Sequence, residues 1–177
     1  VGQFGKGDKY FGVCTMMLTL PGLPMFGHGQ IEGYAEKYGM EYRKAYWSEV
    51  PDAYLVERHE RQITPLLHQR YLFAGVDDYY LYDFFVPGGG VDENVFAYSN
   101  RLGEERGLVF YNNRYGDASG WVQLSAAYAV KDAGGNKTLV QKPLTEALGI
   151  SNDNARYLLF RDSITGLEYI RNCRDLT

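Results

Sequence analysis

No run in this chain is both apolar and long enough to cross a bilayer. The most apolar stretch, Gly12 to Phe26, is interrupted by two prolines and falls short of the roughly 20 residues that a spanning helix needs. The charged–apolar–small order of a signal peptide does not open the chain. Excess positive charge is missing too. A net charge of −4 with both signs interspersed removes the basic footprint that nucleic acid or an anionic membrane requires. Cysteine is scarce. Cys14 in an apolar helical segment and Cys173 in a polar C-terminal one read as free thiols rather than a bridge, and a reducing cytoplasm is expected. His28, His59 and His68 show neither HxH nor HExxH spacing, which speaks against zinc. His59, within Arg58-His59-Glu60-Arg61, reads as a helix-surface residue. A Gly-x-Ser-x-Gly elbow and a Cys–His context for a thiol nucleophile are both lacking. The sequon Asn136-Lys137-Thr138 is too common by chance to argue for an oxidising compartment.

What the chain has in quantity is tyrosine, 16 residues against two tryptophans. Such rings suit strands and half-wet surfaces, where the face packs and the hydroxyl reaches water. They also suit sugar binding, because pyranose faces stack on aromatic rings. Exposed, coplanar rings among Tyr79, Tyr80, Tyr82, Trp121 and Tyr128 point to sugar; the same rings buried point to packing.

The most informative run is Leu20-Pro21-Gly22-Leu23-Pro24-Met25-Phe26-Gly27-His28-Gly29-Gln30. Lys9 to Leu20 reads as a helix stopped by Pro-Gly. Leu23 to Phe26 is too short for a helix but long enough for a strand buried on both faces. After the glycine turn the pattern is helical again, which makes the repeating unit of a parallel α/β sheet or barrel. A lone strand of this kind leaves its backbone groups unpaired, at about 1–3 kcal/mol per group. It therefore implies neighbours from outside these residues, or pairing with another copy. A wet surface for this tetrapeptide counts against the reading.

The chain changes character near Ala74-Gly75. Helix formers run from Gly33 to Trp47, broken by Gly39. Ser48 to Asp52 introduces a helix of about twenty residues with Val56, Ile63, Leu66 and Leu67 as its apolar stripe and Leu55, His59 and Tyr71 on its flanks, kinked at Pro65. From Asp78 the period becomes two. Strands are expected over Tyr80–Phe85, Asn94–Asn100, Arg106–Asn112, Gly120–Leu124 and Thr138–Gln141, with a last hairpin of Tyr157–Arg161 and Leu167–Arg171. A short helix over Thr145–Leu148 is ended by Gly149. Strands at this spacing predict an antiparallel sandwich.

Motifs that carry chemistry are few. Gly27-His28-Gly29-Gln30-Ile31-Glu32-Gly33 superficially resembles a dinucleotide fingerprint, but its third glycine falls one residue late and no strand with an acidic tip follows. On a barrel, the same loop sits at the C-terminal mouth, where His28, Gln30 and Glu32 become candidates for substrate binding. A lone loop carboxylate such as Glu32 is more often a cap or an ion-pair partner than a catalyst. Asp77-Asp78 and Asp92-Glu93 read as solvated loop charge, with weak calcium binding as the alternative. Arg161 and Asp162 read as a pair or a turn cap.

Thr19 to Gln30 resembles the segment leading into the eighth barrel strand of the α-amylase family, glycoside hydrolase family 13. There a helix ends in Pro-Gly-x-Pro, followed by a short strand and a Gly-Gln, Gly-Asp or Gly-Glu pair. The order that follows is similar: an irregular stretch, an eighth helix near residues 52–71, then a tyrosine-rich antiparallel domain C whose early strands look like Val95–Tyr98 and Leu108–Asn113. The resemblance implies an α+β piece, with residues 1–74 as the last helix–strand–helix of a (β/α)8 TIM barrel and 75–177 as a β-sandwich domain C, with Arg174-Asp175-Leu176-Thr177 near or short of its end. It implies a hydrolase of carbohydrate metabolism, a glycosidase acting with retention on α-glucosidic bonds of an α-glucan or maltooligosaccharide. Such enzymes use two carboxyls roughly 5 Å apart and a third acid. The family's catalytic acids precede the point where this chain begins, so no residue here inherits a catalytic role, and the stretch alone is expected to be inactive. No cofactor is implied, beyond calcium as an option in the parent enzyme. Gln30-Ile31-Glu32-Gly33 departs from the family's commoner Gly-Glu-Ile-Gly. The competing class is a non-enzymatic carbohydrate-binding or interaction module.

Overall fold

Helix α1 spans Asp8–Thr19, one residue earlier at each end than its pattern predicts. Its last turn closes with the Leu20 N–H on the Met16 carbonyl at 2.9 Å. Pro21 has no N–H to continue the ladder, and Gly22 then takes φ = 117°, a region that favours glycine. The computed structural model describes residues 1–36, 43–151 and 155–176. It divides into two compact units, Val1–Ala74 and Gly75–Thr177.

In the first unit, the strand expected at Leu23–Phe26 is not formed. Leu23 is 89% exposed and Met25 74%, while Phe26 packs against the helical core. A strand is stable only when a neighbour takes up its N–H and C=O groups. Among the described residues of this unit the surroundings are helix and loop, so water solvates the segment instead. This is a correction: these residues alone do not bury it.

The helix expected over Gly33–Trp47 is also not formed where the chain is described; residues 37–42 lie outside the described residues. Gly33 has φ = 79°, unsuited to a helix start. Side-chain carboxylates hold the loop through main-chain donors, a competition that disfavours helix. Glu49 accepts the N–H groups of Ala35 and Glu36 at 2.7 and 3.0 Å, and Glu36 accepts those of Tyr46 and Trp47 at 2.7 and 2.9 Å.

The single kinked helix is three consecutive pieces, α2 (Ala53–Gln62), α3 (Thr64–His68) and α4 (Arg70–Phe73). Asp52 caps α2 by accepting the Leu55 N–H at 3.2 Å. Pro65 sits in the first turn of α3, where its missing donor costs nothing. The buried stripe runs Leu55, His59, Ile63, Leu66, with helical steps of four, four and three residues. Val56 and Leu67 lie at its margins. The core of this unit joins that stripe to Tyr10, Phe11, Cys14 and Leu18 of α1.

The second unit is antiparallel throughout. Strands β1 (Tyr80–Tyr82), β2 (Val95–Leu102) and β3 (Glu105–Asn112) form one sheet in that order. Leu102 pairs with Glu105, so the hairpin closes over two residues, with Gly103 at φ = 60°. Strands β4 (Tyr128–Lys131) and β5 (Lys137–Val140) form a second hairpin, and β6 (Tyr157–Arg161) and β7 (Glu168–Asn172) a third. Helix α5 (Leu144–Ala147) lies between the last two. The expected strand over Gly120–Leu124 is reduced to isolated bridges, Phe85 with Trp121 and Leu124 with Pro143. Among the described residues the three sheets share no strand, and the Tyr82–Ser125 bridge links β1 to the segment that leads into the second hairpin. On β6–β7, Leu159 and Ile170, directly opposite each other, stand exposed.

The centre of this unit is Tyr82, Ala97 and Ala147. Tyr82 shares a hydrogen bond of 2.6 Å with Ser99 Oγ, and burial pushes its phenol up to about 12. Cys14 and Cys173 are both buried free thiols. Among the described residues no helix is long and apolar enough to cross a membrane.

Candidate functional site

The glycine-rich turn after Phe26 forms one wall of an open depression of about 550 Å³ in the first unit. Lys6, Gly27, His28, Gln30, Tyr34 and Glu49 line it. Gly29 makes the turn possible. It has φ = 67°, and a Cβ there would stand 2.7 Å from the Cβ of Tyr34. The Tyr34 N–H closes the turn on the Gly29 carbonyl at 2.8 Å.

The three candidates from the sequence fare differently. His28 is exposed on the rim, with its ring centre 6.4 Å from that of Tyr34. Gln30 lines the wall, but its carboxamide is engaged at both ends. Oε1 accepts the Gly27 N–H at 3.0 Å and Nε2 donates to Tyr10 Oη at 3.2 Å. It shapes the turn. Glu32 is half-buried outside the lining, and its carbonyl accepts the Asp52 N–H at 2.9 Å.

Behind Gln30 lies a group that the sequence reading placed wrongly. His59 is 2% exposed, not on the helix surface. The charged neighbours Arg58, Glu60 and Arg61 hide its position, four residues from both Leu55 and Ile63. That spacing was the available signal. Its partner across the core, Tyr10, was not legible, because the contact joins α1 to α2. His59 Nδ1 lies 2.8 Å from the Leu55 carbonyl and Nε2 lies 2.8 Å from Tyr10 Oη. A carbonyl only accepts, so Nδ1 carries the proton and Nε2 receives the Tyr10 O–H. The rings of Phe11 and Phe26 pack on the imidazole at 5.0 and 6.3 Å.

Burial drives the His59 pKa below its ordinary value and the Tyr10 and Cys14 pKa values above theirs. For His59 the unfolded chain therefore binds a proton more readily than the folded one. Its contribution to stability is complete above about pH 6.5 and is lost as the pH falls from there through the folded value. Unfolding midpoints measured across that window should drop for the wild type and stay flatter for His59→Gln.

The charged side chains of the depression are already engaged. Its carboxylates, Glu36 and Glu49, each accept two main-chain N–H groups, and Lys6 is paired with Asp52 at 2.8 Å. Among the described residues no cluster of three or more His, Cys, Asp or Glu is placed to hold a metal. Of the loop acids, Asp78 pairs with Arg101 at 3.3 Å and Asp92 accepts from the main-chain N–H and the carboxamide Nδ2 of Asn94. Asp162 caps its own turn through Ile164 and Thr165.

The five rings singled out from the sequence do not form a flat platform. Tyr82 is buried, Tyr79, Tyr80 and Tyr128 are half-buried, and Trp121 is exposed. Tyr80 and Tyr128 are tilted by 59°, and Tyr79 and Tyr98 by 46°. This geometry favours packing over sugar stacking.

Comparison of the chain with protein-family models, characterised proteins and solved structures finds no match.

Proposed function

We propose that this chain is the C-terminal part of a retaining glycoside hydrolase of the α-amylase type, acting on α-glucosidic bonds of an α-glucan or maltooligosaccharide. In this reading residues 1–74 close a (β/α)8 barrel supplied by preceding sequence, and residues 75–177 form the domain C that shields and stabilises it. The catalytic acids belong to the preceding sequence, so the 177 residues alone are inactive.

The reading is carried by the run Thr19–Gln30, with its Pro-Gly helix stop, short apolar segment and glycine-rich turn; the solvent exposure of that segment counts against it. Leu23 and Met25 stand exposed, and among the described residues no strand lies beside them. Arg70 supports the reading. Its Nη2 donates to the Gly22 carbonyl beside that run, while Nε and Nη1 are buried with no acceptor. Buried donors without partners are rare in complete folds and cost about 1–3 kcal/mol each. The unpartnered Arg70 donors fit a face that further chain covers. The alternative, a free carbohydrate-binding module, is weakened by the tilted, half-buried tyrosines.

The experiment is to translate the reading frame upstream of Val1, express the longer product and assay it on maltooligosaccharides. Expected are an Asp, a Glu and an Asp on successive strand ends and retention of the anomeric configuration. A frame that starts at Val1, or a folded longer product without turnover, overturns the proposal.

A further inference from the structure

A second property follows from the buried cluster, independently of the glycosidase reading. The hydrogen bonds around His59 run in one direction. Gly27 N–H donates to Gln30 Oε1 at 3.0 Å, and Gln30 Nε2 donates to Tyr10 Oη at 3.2 Å. Tyr10 O–H donates to His59 Nε2, and His59 Nδ1–H to the Leu55 carbonyl, both at 2.8 Å. Each link fixes the donor of the next, and aligned links of this kind strengthen one another. The chain joins α2, α1 and the turn that walls the depression.

We propose that this relay is a pH-operated latch: neutral His59 holds the Gln30 carboxamide between Tyr10 and the Gly27 N–H and so closes the Gly27–Gln30 turn, and protonated His59 releases the carboxamide. A proton taken up at Nε2 removes the acceptor of the Tyr10 hydroxyl. His59 Nε2–H then donates to the phenol oxygen, and the phenol hydrogen swings to its other acceptor within reach, the Gln30 main-chain carbonyl at 3.4 Å. The Gln30 carboxamide now competes with a cation for the phenol oxygen and is displaced, and with it the acceptor of the Gly27 N–H. The Tyr10 hydroxyl from α1 faces His59, and the charge of the Glu32 carboxylate favours proton uptake. The Cys14 thiol adjoins Tyr10 and Gln30.

Amide exchange in the 177-residue chain tests this, with the Leu18 amide of α1 as the reference for global opening. Between about pH 7.5 and about pH 5.5 the Gly27 protection factor should fall about tenfold in the wild type, in step with the His59 ring resonances, while Leu18 changes less than about twofold. In Tyr10→Phe, His59 still titrates but Gly27 should be weakly protected at both values. Gln30→Met, which keeps the volume and removes the carboxamide, should match it. An unchanged Gly27 while His59 titrates overturns the latch. So does the same fall in both variants, a parallel loss at Leu18, or failure of His59 to titrate before the chain unfolds.

Discussion

Replacing Leu55 with alanine is expected to destabilise the first unit by about 2–5 kcal/mol, the range for truncating a buried leucine whose site cannot collapse. Leu55 is fully buried within the cluster of Tyr10, Phe11, Cys14, Leu18, Ile63 and Leu66. Its neighbours are held from several directions, so little can move in. A Cδ of Leu55 packs so close to Gly33 that a Cβ there would stand at 2.8 Å. Its N–H is fixed by Asp52 and its carbonyl by His59 Nδ1. The backbone therefore stays in place while the side chain is lost. Urea unfolding followed through Trp47, in a Trp121→Phe background, reports this unit. A loss below about 1 kcal/mol would mean that the site relaxes and the core is looser than described.

The second large effect is expected at Gly120, where alanine should cost the other unit roughly 2–4 kcal/mol. A Cβ at this position would meet the Phe85 carbonyl oxygen at 2.1 Å and ring atoms of Phe84 at 2.7 and 2.9 Å. The first contact is with backbone, so rotamer changes cannot relieve it. The same carbonyl accepts the Trp121 N–H at 2.9 Å, and the Trp121 carbonyl accepts the Phe85 N–H at 2.9 Å. Relieving the clash breaks this two-bond bridge, which ties the 120–124 segment to the chain after β1. Trp121 fluorescence, in a Trp47→Phe background, reads the loss directly. A variant as stable as the wild type would show that the bridge is dispensable.

Local signals in the sequence located individual elements well. The Pro-Gly stop placed α1 to within a residue. The alternating runs Asn94–Asn100 and Arg106–Asn112 placed β2 and β3, and the runs Tyr157–Arg161 and Leu167–Arg171 placed β6 and β7. What failed depended on partners distant in sequence. The run Leu23–Phe26 has the composition of a buried strand, but strand formation is decided by neighbours, and among the described residues none lies beside it. Residues 120–124 have strand composition and yet make only two bridges. His59 looked like a surface residue because its immediate neighbours are charged, whereas its burial is set by its spacing from Leu55 and Ile63 and by Tyr10 on another helix. The same limit applies to the depression: His28 and Gln30 were singled out from their place after the turn, but that the Gln30 carboxamide is fully engaged follows only from the packing of α1. Glu49, which organises the wall with two main-chain bonds, carried no motif at all.

The measurement that bears most directly on the barrel reading is amide exchange at Leu23, Met25 and Phe26, compared between the 177-residue chain and the longer product of its reading frame. The account predicts near-random-coil exchange in the chain alone and protection of at least about a hundredfold in the longer protein, as expected for amides in a strand ladder. Equal, fast exchange in both proteins would contradict it.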